Sequence, residues 1–413
     1  MANPTLHISA PPARTPSRLE INLSQLEANF AALSRAVQPA DQGSTSLNGG
    51  AVRVCAVVKK NAYGLGAGPI ASRLVKAGCD MLAVYSVDEA EPLVARGLTC
   101  PLLLLMPLRH LRRTDPLYRH AVAGRLHVTV HDPAQVDEVN QVGRSFGTRL
   151  PVHLHLDTGM SRSGLNAEQF AAALADVLDA SHLRLAGLYT HLATADDDAD
   201  FAADQLRQFT DATAALAPAV RSQLACHVAN TCGTLRGEAF HMDMVRPGLG
   251  LLGYGVESLA GAPRLSAMPV LRGVVRWVSR IVHVQSYAAG APVGYGSTHR
   301  LDRDSVLGVV PAGYGDGYPL ALSNRAVVRV RPAGDAAGTW HEARVLGRVN
   351  MDQLVVDLTD AAAPLSLVDA EVEIVSDEPE APNALPKLAA LAESHCYELL
   401  CRLAPTLSRT YRQ

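Results

Sequence analysis

RVCAVVKKNAYGLG, residues 53–66, begins a repeating pattern from which the fold of this chain can be predicted. Its first six residues, RVCAVV, form a short aliphatic and β-branched run that is typical of a buried strand. The run ends in two adjacent lysines, which rarely sit at the end of a buried apolar segment. We therefore expect a buried strand followed directly by a polar segment.

Seven further runs of the same kind follow, and helix-like stretches such as AEQFAAALADVLD (167–179) separate most of them. Eight alternations of strand and helix predict an α/β fold with an N-terminal (β/α)8 TIM-like barrel. A doubly wound open sheet gives the same local pattern, and the count favours the barrel. The seven runs are MLAVY (81–85), PLLLLM (101–106), LHVTV (126–130), LPVHLHL (150–156), LRLAGLY (183–189), ACHV (225–228) and MVRPGLGLL (244–252).

The sequence changes texture after the turn-rich segment 257–269. Segments such as VVRWVSRIVHVQSY, AVVRVRP and EVEIVS alternate apolar and polar residues with a period of two. No long helical pattern separates them, so they predict a second, mostly β domain. We expect the barrel over residues 17–265. We expect residues 266–413 to form the β domain together with residues 1–16.

Composition points to a cytoplasmic enzyme. The chain has 413 residues, of which 48 % are hydrophobic and 19 % charged, and its formal net charge is −3. No basic stripe predicts nucleic-acid binding, and no apolar run is long enough to span a bilayer. The first residues lack the apolar core of a signal peptide. The seven cysteines are scattered without a C-x-x-C pair, as expected for buried thiols in a reducing compartment.

Ionisable and hydroxyl side chains follow several of the predicted strands. Each has a structural explanation when taken singly, such as a turn cap or an ion pair. In a barrel, however, the carboxyl ends of the strands meet at one mouth, where active sites form. These side chains are Lys59, Lys60 and Tyr63 after the first strand, His155, Asp157 and Arg162 after the fifth, His191 after the sixth, Asn230 and Thr231 after the seventh, and Arg246 in the eighth.

The segment PGLGLLGYG, residues 247–255, presents main-chain N–H groups after the eighth strand. Loops at this place in a barrel often bind phosphate, and the hydroxyl of Tyr63 or Thr231 would add a donor. A phosphate site beside a lysine indicates an enzyme that holds an aldehyde cofactor, such as pyridoxal phosphate, on the amine as an imine.

A set of histidines supports a different function, that of a metal-dependent barrel hydrolase. His153 and His155 share one face of the fifth strand, and His191 and His227 follow later strands. Such a set can hold zinc. It leaves the lysine and the glycine-rich segment unexplained, so we favour the cofactor enzyme and expect no metal.

Nine segments together resemble the alanine racemase family, whose cofactor motif is usually A-V-V-K-A-N-A-Y-G-x-G. They occur in the family's order and cover almost the whole chain. The segments are AVVKKNAYGLG (56–66), LDTGMSRSG (156–164), THLATAD (190–196), HVANT (227–231), MVRPGLGLLGYG (244–255), VGYGSTHR (293–300), PAGYGDGYP (311–319), GRVNMDQ (347–353) and CYELLCRL (396–403).

The resemblance implies a homodimeric racemase that depends on pyridoxal 5'-phosphate and interconverts L- and D-alanine, the precursor chemistry of the bacterial cell wall. Its two bases align with Lys59, which also holds the cofactor, and with Tyr295, which would reach the active site of the second subunit. Alternation along the strand does not choose between Lys59 and Lys60; the family motif does. For Lys60 we favour a solvent-directed side chain over a charge that lowers the pKa of Lys59.

The resemblance also implies the remaining contacts. Arg246 would face the ring nitrogen of the cofactor, with His191 between it and the tyrosine base. Arg162 would lie near the cofactor's phenolic oxygen and the substrate carboxylate. The other implied cofactor residues are Tyr63, Asn230, Thr231, Gly248, Leu249 and Tyr397; the implied substrate residues from the second subunit are Tyr314, Met351 and Asp352.

One position departs from the family pattern. Many members carry a lysine two residues before the aspartate of L-D-T-G-M, and its carbamylated form orients the arginine. Here that residue is His155, which cannot be carbamylated in that way. A bound chloride or another residue would then orient Arg162.

Three related alternatives remain open on sequence alone. A broader-specificity amino-acid racemase that accepts serine has the same motifs. A decarboxylase of basic amino acids shares the fold, but the segment GRVNMDQ resembles the racemase version. A non-catalytic carrier of pyridoxal phosphate would be a single barrel, and the second domain with Tyr295 argues against it.

Overall fold

The computed structural model describes residues 16–38, 51–255, 259, 265, 268–332 and 338–413. The chain divides into two compact units. The first, which we call the barrel unit, comprises Asn22–Val274 with Tyr411–Gln413; the second, the sheet unit, comprises Val275–Thr410 with the residues up to Ile21. Residues 1–15, which we expect to belong to the β domain, lie outside the described residues. Most of the turn-rich segment 257–269 does so as well.

The barrel prediction is confirmed. After β1 (Arg18–Asn22), which belongs to the sheet unit, each of the eight predicted runs contains a strand. These strands form one parallel sheet in the order β8-β7-β6-β5-β4-β3-β2-β9. Their bounds are β2 (Arg53–Val57), β3 (Met81–Val84), β4 (Leu102–Leu104), β5 (Leu126–Val130), β6 (Leu150–His155), β7 (Leu183–Tyr189), β8 (Ala225–His227) and β9 (Met244–Val245).

The last strand closes the sheet on itself. Arg53 pairs with Met244 on the β2 side of β9. On the other side, the Asp243 N–H donates to Cys226 O at 3.0 Å. The inner face of the strands is apolar in its lower layers, where Cys55, Met81, Ala83, Leu103, Ala225 and Met244 form one buried cluster.

The helices that separate the strands carry ordinary start signals. Asn166 caps one of them through a reciprocal capping box with Gln169, and Asp198 caps the next. None of the described helices combines the length and apolarity needed to cross a bilayer. The helices of the barrel unit are α1 (Leu23–Ala36), α2 (Lys59–Tyr63), α3 (Ala67–Lys76), α4 (Val87–Ala95), α5 (Tyr118–Val122), α6 (Ala134–Phe146), α7 (Ala167–Asp179), α8 (Ala199–Ala214), α9 (Pro218–Arg221) and α10 (Thr231–Arg236).

The second, mostly β part of the prediction is also confirmed. A nine-stranded sheet runs in the order β11-β14-β17-β16-β15-β18-β10-β1-β19, and its core includes Trp277 and Tyr318. The C-terminal tail, which reads as one helical stretch, forms two short helices. The bounds are β10 (Val275–Arg280), β11 (His283–Tyr287), β12 (Pro292–Val293), β13 (His299–Arg300), β14 (Ser305–Val310), β15 (Val327–Arg331), β16 (His341–Leu346), β17 (Leu354–Asp357), β18 (Glu371–Val375), α11 (Leu385–Leu391), α12 (Cys396–Cys401) and β19 (Ser408–Arg412).

Candidate active site

The two lysines follow the first barrel strand, in agreement with the predicted polar segment after a buried strand. β2 ends at Val57, and Lys59 begins α2. The next four residues, from Lys60 to Tyr63, all have φ between 52° and 55°, a left-handed turn that L-residues rarely adopt. Side chains hold the turn: the Ala67 N–H donates to Asn61 Oδ1 at 2.8 Å. Period-two alternation therefore stops before it reaches either lysine.

Lys60 points toward solvent, as we favoured. Its side chain is 63 % exposed, and Nζ lies 3.5 Å from Glu89 Oε1. The same ammonium group lies 5.2 Å from the centre of the Tyr85 ring. Glu89 Oε1 also accepts the Lys60 main-chain N–H at 3.1 Å. The charge of Lys60 is thus paired on the outside of the turn.

The glycine-rich segment and the two predicted hydroxyl groups come together. A methyl group on Gly248 would lie only 2.0 Å from Tyr63 Oη, so the tyrosine occupies the space that any other residue would need. The main-chain N–H groups of Gly248 and Gly250 each donate to Thr231 Oγ1 at 3.1 Å. Leu249 begins a short 3-10 helix, Leu249–Leu252, that contains Gly250. Asn230 caps α10, where its Oδ1 accepts the Gly233 N–H at 2.9 Å.

Arg246 is buried at the barrel mouth and held by five acceptors, of which Val228 O accepts from Nη2 at 3.2 Å. Its Nη1 donates to Nδ1 of His227 at 2.8 Å and to the oxygen of the same residue at 2.9 Å. Its Nη2 donates to Thr190 O at 2.9 Å and reaches Nδ1 of His191 at 3.3 Å. Among the described residues no group accepts from its Nε–H.

The arginine lies at the end of a chain of imidazoles that crosses the barrel. His227 Nε2 lies 2.9 Å from Nδ1 of His153, and His153 Nε2 lies 2.9 Å from Nδ1 of His127. Because arginine only donates, His227 accepts on Nδ1 and donates from Nε2. The same rule passes down the chain, so all three rings are Nε2–H tautomers.

Burial keeps these rings, and that of His191, neutral. It lowers the pKa of His127 to about 3, with smaller contributions from Arg184 and Arg53. It also lowers the pKa of His191 to about 3, with the charge of Arg246 as the next cause. Since Arg246 donates to Nδ1 of His191, the proton of neutral His191 is on Nε2.

A second pair of histidines lies beside this chain. His131, directly after β5, places Nδ1 2.9 Å from Nδ1 of His155. The His155 ring stacks on Tyr189 with a centroid distance of 4.4 Å, and Tyr189 stacks on His227 at 5.0 Å. His155, the residue that departs from the family pattern, is therefore part of a packed aromatic layer.

Arg162 lies in the loop that follows β6. Asp157 organises this loop, because its Oδ1 accepts the N–H groups of Gly159 and Met160 at 2.9 Å each. The Arg162 side chain is exposed, and among the described residues no group forms a hydrogen bond or ion pair with its guanidinium.

The other predicted residues belong to the sheet unit. The Tyr295 side chain is 70 % exposed in the 3-10 turn Tyr295–Ser297. The segments that carry Tyr314 and Met351 meet, since the Gly315 N–H donates to Met351 O at 2.9 Å. Asp352 is exposed, and Tyr397 lies in α12.

Sequence reasoning missed His127, His131 and Tyr189. His131 directly follows a predicted strand, and that position indicates a candidate site residue. His127 lies inside β5, where its position does not distinguish it from other strand residues. In the described part of the chain, no group of three or more metal-ligating side chains is arranged to hold an ion. Of the proposed zinc set, His153 instead bonds to His227, His227 and His191 bond to Arg246, and His155 bonds to His131.

Comparisons with known proteins agree over both units. A family model described as "Alanine racemase, N-terminal domain" matches residues 21–256, and one described as "Alanine racemase, C-terminal domain" matches residues 274–411. An alanine racemase of Symbiobacterium thermophilum is 32 % identical over 96 % of this chain and 97 % of its own length. One of Synechocystis is 35 % identical over 86 % of this chain and 90 % of its own.

Solved structures show the same fold. Alanine racemase from a D-cycloserine-producing Streptomyces lavendulae superposes with a TM-score of 0.80 at 29 % identity, covering 97 % of this chain and 98 % of that one. A structure from Bartonella henselae with covalently bound pyridoxal phosphate has a TM-score of 0.77 at 24 % identity, covering 96 % of this chain and 100 % of that one. At this identity the second comparison shows a shared fold.

Proposed function

The chain belongs to the alanine racemase family of isomerases, and on that premise we propose that it interconverts L- and D-alanine with pyridoxal 5'-phosphate. The observation that carries the proposal is the cradle formed by Tyr63, Thr231 and Gly248 beside the turn that begins at Lys59. It offers hydroxyl groups and glycine main chain for a phosphate next to an amine for an aldehyde.

The buried groups fit this cofactor. Arg246 keeps one donor, Nε–H, without a described acceptor, while its other contacts fix the guanidinium in place. That donor suits the nitrogen of a pyridine ring. Bound pyridoxal phosphate withdraws electrons from an amino acid and so makes its Cα proton removable. Because a guanidinium keeps its proton, Arg246 would leave the ring nitrogen unprotonated and disfavour side reactions such as transamination.

Racemisation needs two groups that exchange a proton with Cα from opposite faces. We assign these roles to the Lys59 amine and to Tyr295 of a second subunit, so the active enzyme is a homodimer. A free phenol has a pKa of about 10, so ionised Tyr295 needs a hydrogen-bond donor. His191 is suited to this, because Arg246 occupies its Nδ1 and leaves its Nε2–H to donate.

The remaining predicted residues complete the site. Arg162 would bind the substrate carboxylate. In this proposal residues 17–265 bind the cofactor, and residues 266–413 contribute to the active site of the second subunit. The enzyme would act in the cytoplasm. Tyr314, Met351 and Asp352 would contribute to substrate entry in the second subunit's site. Asn230, Tyr397 and the main-chain N–H of Leu249 would contact the cofactor.

The test is a racemisation assay in D2O on a panel of L-amino acids. We expect deuterium at Cα of alanine and formation of the D-enantiomer, and the panel measures directly whether serine is also accepted. Tyr295→Phe should lose about 10²–10⁴ in rate, as expected for loss of one general base. Wild-type protein loaded with cofactor that washes no deuterium into alanine would refute the proposal.

A further inference from the structure

His155 has a buried ring nitrogen without a partner. Its Nε2 forms no hydrogen bond with any described residue, although the residue is only 3 % exposed. An unpaired polar atom in a protein interior lowers stability, because it has lost its bond to water, so native structures rarely keep one. This atom therefore indicates a group that joins it in the working enzyme.

The neighbouring ring determines whether that group must donate or accept. His131 Nε2 lies 3.0 Å from the carbonyl oxygen of Leu105, which can only accept, so Nε2 carries the proton. Thr129 is consistent, because its hydroxyl gives its own hydrogen to Leu104 O and can only accept from His131. Burial lowers the pKa of His131, so the ring is neutral and its Nδ1 is a bare acceptor.

The proton of neutral His155 must then lie on Nδ1. Its Nδ1 lies 2.9 Å from the bare Nδ1 of His131 and must donate to it. Burial lowers the pKa of His155 to about 2, with His131, Arg246, His191 and Arg162 adding to the shift. A neutral imidazole with Nδ1–H has a lone pair on Nε2, which calls for a donor and repels an anion.

We propose that Nε2 of His155 accepts a hydrogen bond from the guanidinium of Arg162 and so positions that arginine for the substrate carboxylate. Arg162 can only donate, follows the same strand, and has no other described partner. The stack on Tyr189 fixes the plane of the His155 ring and hence the direction of the lone pair. Here His155 is a neutral positioning residue, with no chloride or carbamate in its place; the inference rests on the proposed function only for the identity of the carboxylate.

Neutron diffraction from holoenzyme crystals exchanged into D2O tests the hydrogen-bond pattern directly, and X-ray anomalous diffraction from crystals grown in bromide tests for an anion. We expect deuterium on Nδ1 of His155, none on Nε2, an Arg162 N–D directed at Nε2, and no anomalous bromide peak between the two residues. Deuterium on Nε2, or a bromide ion between His155 and Arg162, would overturn the proposal whatever reaction the enzyme catalyses.

Kinetics test the positioning role. His155→Leu removes the acceptor and should raise KM for alanine about tenfold while changing kcat less, as expected for one lost charge-assisted hydrogen bond. His155→Asn keeps an acceptor oxygen and should restore most of the affinity. Replacing chloride by gluconate should leave the wild-type KM unchanged. A folded His155→Leu enzyme with wild-type KM overturns the role; a wild type without racemase activity would instead refute the proposed function.

Discussion

Arg246 at the barrel mouth contacts His227 in the barrel interior, with Nη1 of the arginine 2.8 Å from Nδ1 of the histidine. Because the guanidinium only donates, this contact orders the tautomers of His227, His153 and His127 in one direction. One buried side chain thus sets the hydrogen-bond polarity of the whole interior chain.

Arg246→Ala should lower the free energy of unfolding by about 3 kcal/mol. The substitution leaves the buried oxygens of Thr190 and His227, and the His227 ring nitrogen, without their donor. Urea unfolding of the two proteins measures the difference. Arg207→Ala is the matched control, because that arginine forms an exposed pair with Asp204 and should change stability by less than about 1 kcal/mol.

Lys59→Ala and Lys60→Ala should behave differently although the residues are adjacent. Loss of Lys59 should abolish covalent retention of the cofactor and reduce turnover by about 10²–10⁴. Lys60 is exposed and already paired with Glu89, so its removal should leave the cofactor absorbance and the pH–rate profile unchanged. Absorbance after gel filtration and kcat across pH measure both; a shifted profile in Lys60→Ala would show that its charge acts on Lys59.

Gly248→Ala should disrupt the cradle that we propose for the phosphate. The added methyl group would meet Tyr63 Oη at 2.0 Å, and overpacking of this kind lowers stability by about 1–3 kcal/mol. Cofactor affinity should fall together with the thermal midpoint. Gly237→Ala is the control, because Gly237 has extended backbone and open space around its Cα.

The collision also predicts a rescue. Tyr63→Phe removes the hydroxyl oxygen that the new methyl group would meet. Gly248→Ala should therefore lower stability less in the Tyr63→Phe background than in the wild type, a non-additive double-mutant cycle. Additive effects in that cycle would mean that the strain in Gly248→Ala does not come from contact with the Tyr63 hydroxyl.

Stability should decline on acidification from about pH 6.5. Burial lowers the pKa of His127 and His191 to about 3 and of His155 to about 2. Below pH 6.5 the unfolded chain takes up protons that the folded chain refuses, so each such ring removes up to about 1.4 kcal/mol per pH unit. The contribution is fully present above pH 6.5 and is lost as pH falls toward the folded values.

Urea unfolding between pH 7 and pH 5 measures this slope. His191→Asn should reduce it by about one proton, because one buried neutral ring is removed. His110→Asn is the control at an exposed histidine and should leave the slope unchanged. Equal slopes in wild type and His191→Asn would mean that His191 is protonated in the folded state.

Local periodicity was sufficient to predict the strands of the barrel. Each run, from RVCAVV to MVRPGLGLL, contains a strand because aliphatic and β-branched residues favour strands wherever both faces are buried. The polar residues after those strands were also predictable in kind. The turn at Lys60–Tyr63 was not, because its left-handed backbone depends on acceptors such as Glu89 on another element.

By itself, the sequence determined the family, the eight-strand alternation, and the order of the lysine, arginine and glycine segments, since all of these are encoded in local composition. Which ring nitrogens donate and which accept depends on contacts that form when the chain folds. His153 and His227 are 74 residues apart, yet the proton on Nε2 of His227 makes Nδ1 of His153 the acceptor. A proton's position on imidazole depends on the partners that folding brings within 3 Å, and no local pattern encodes them.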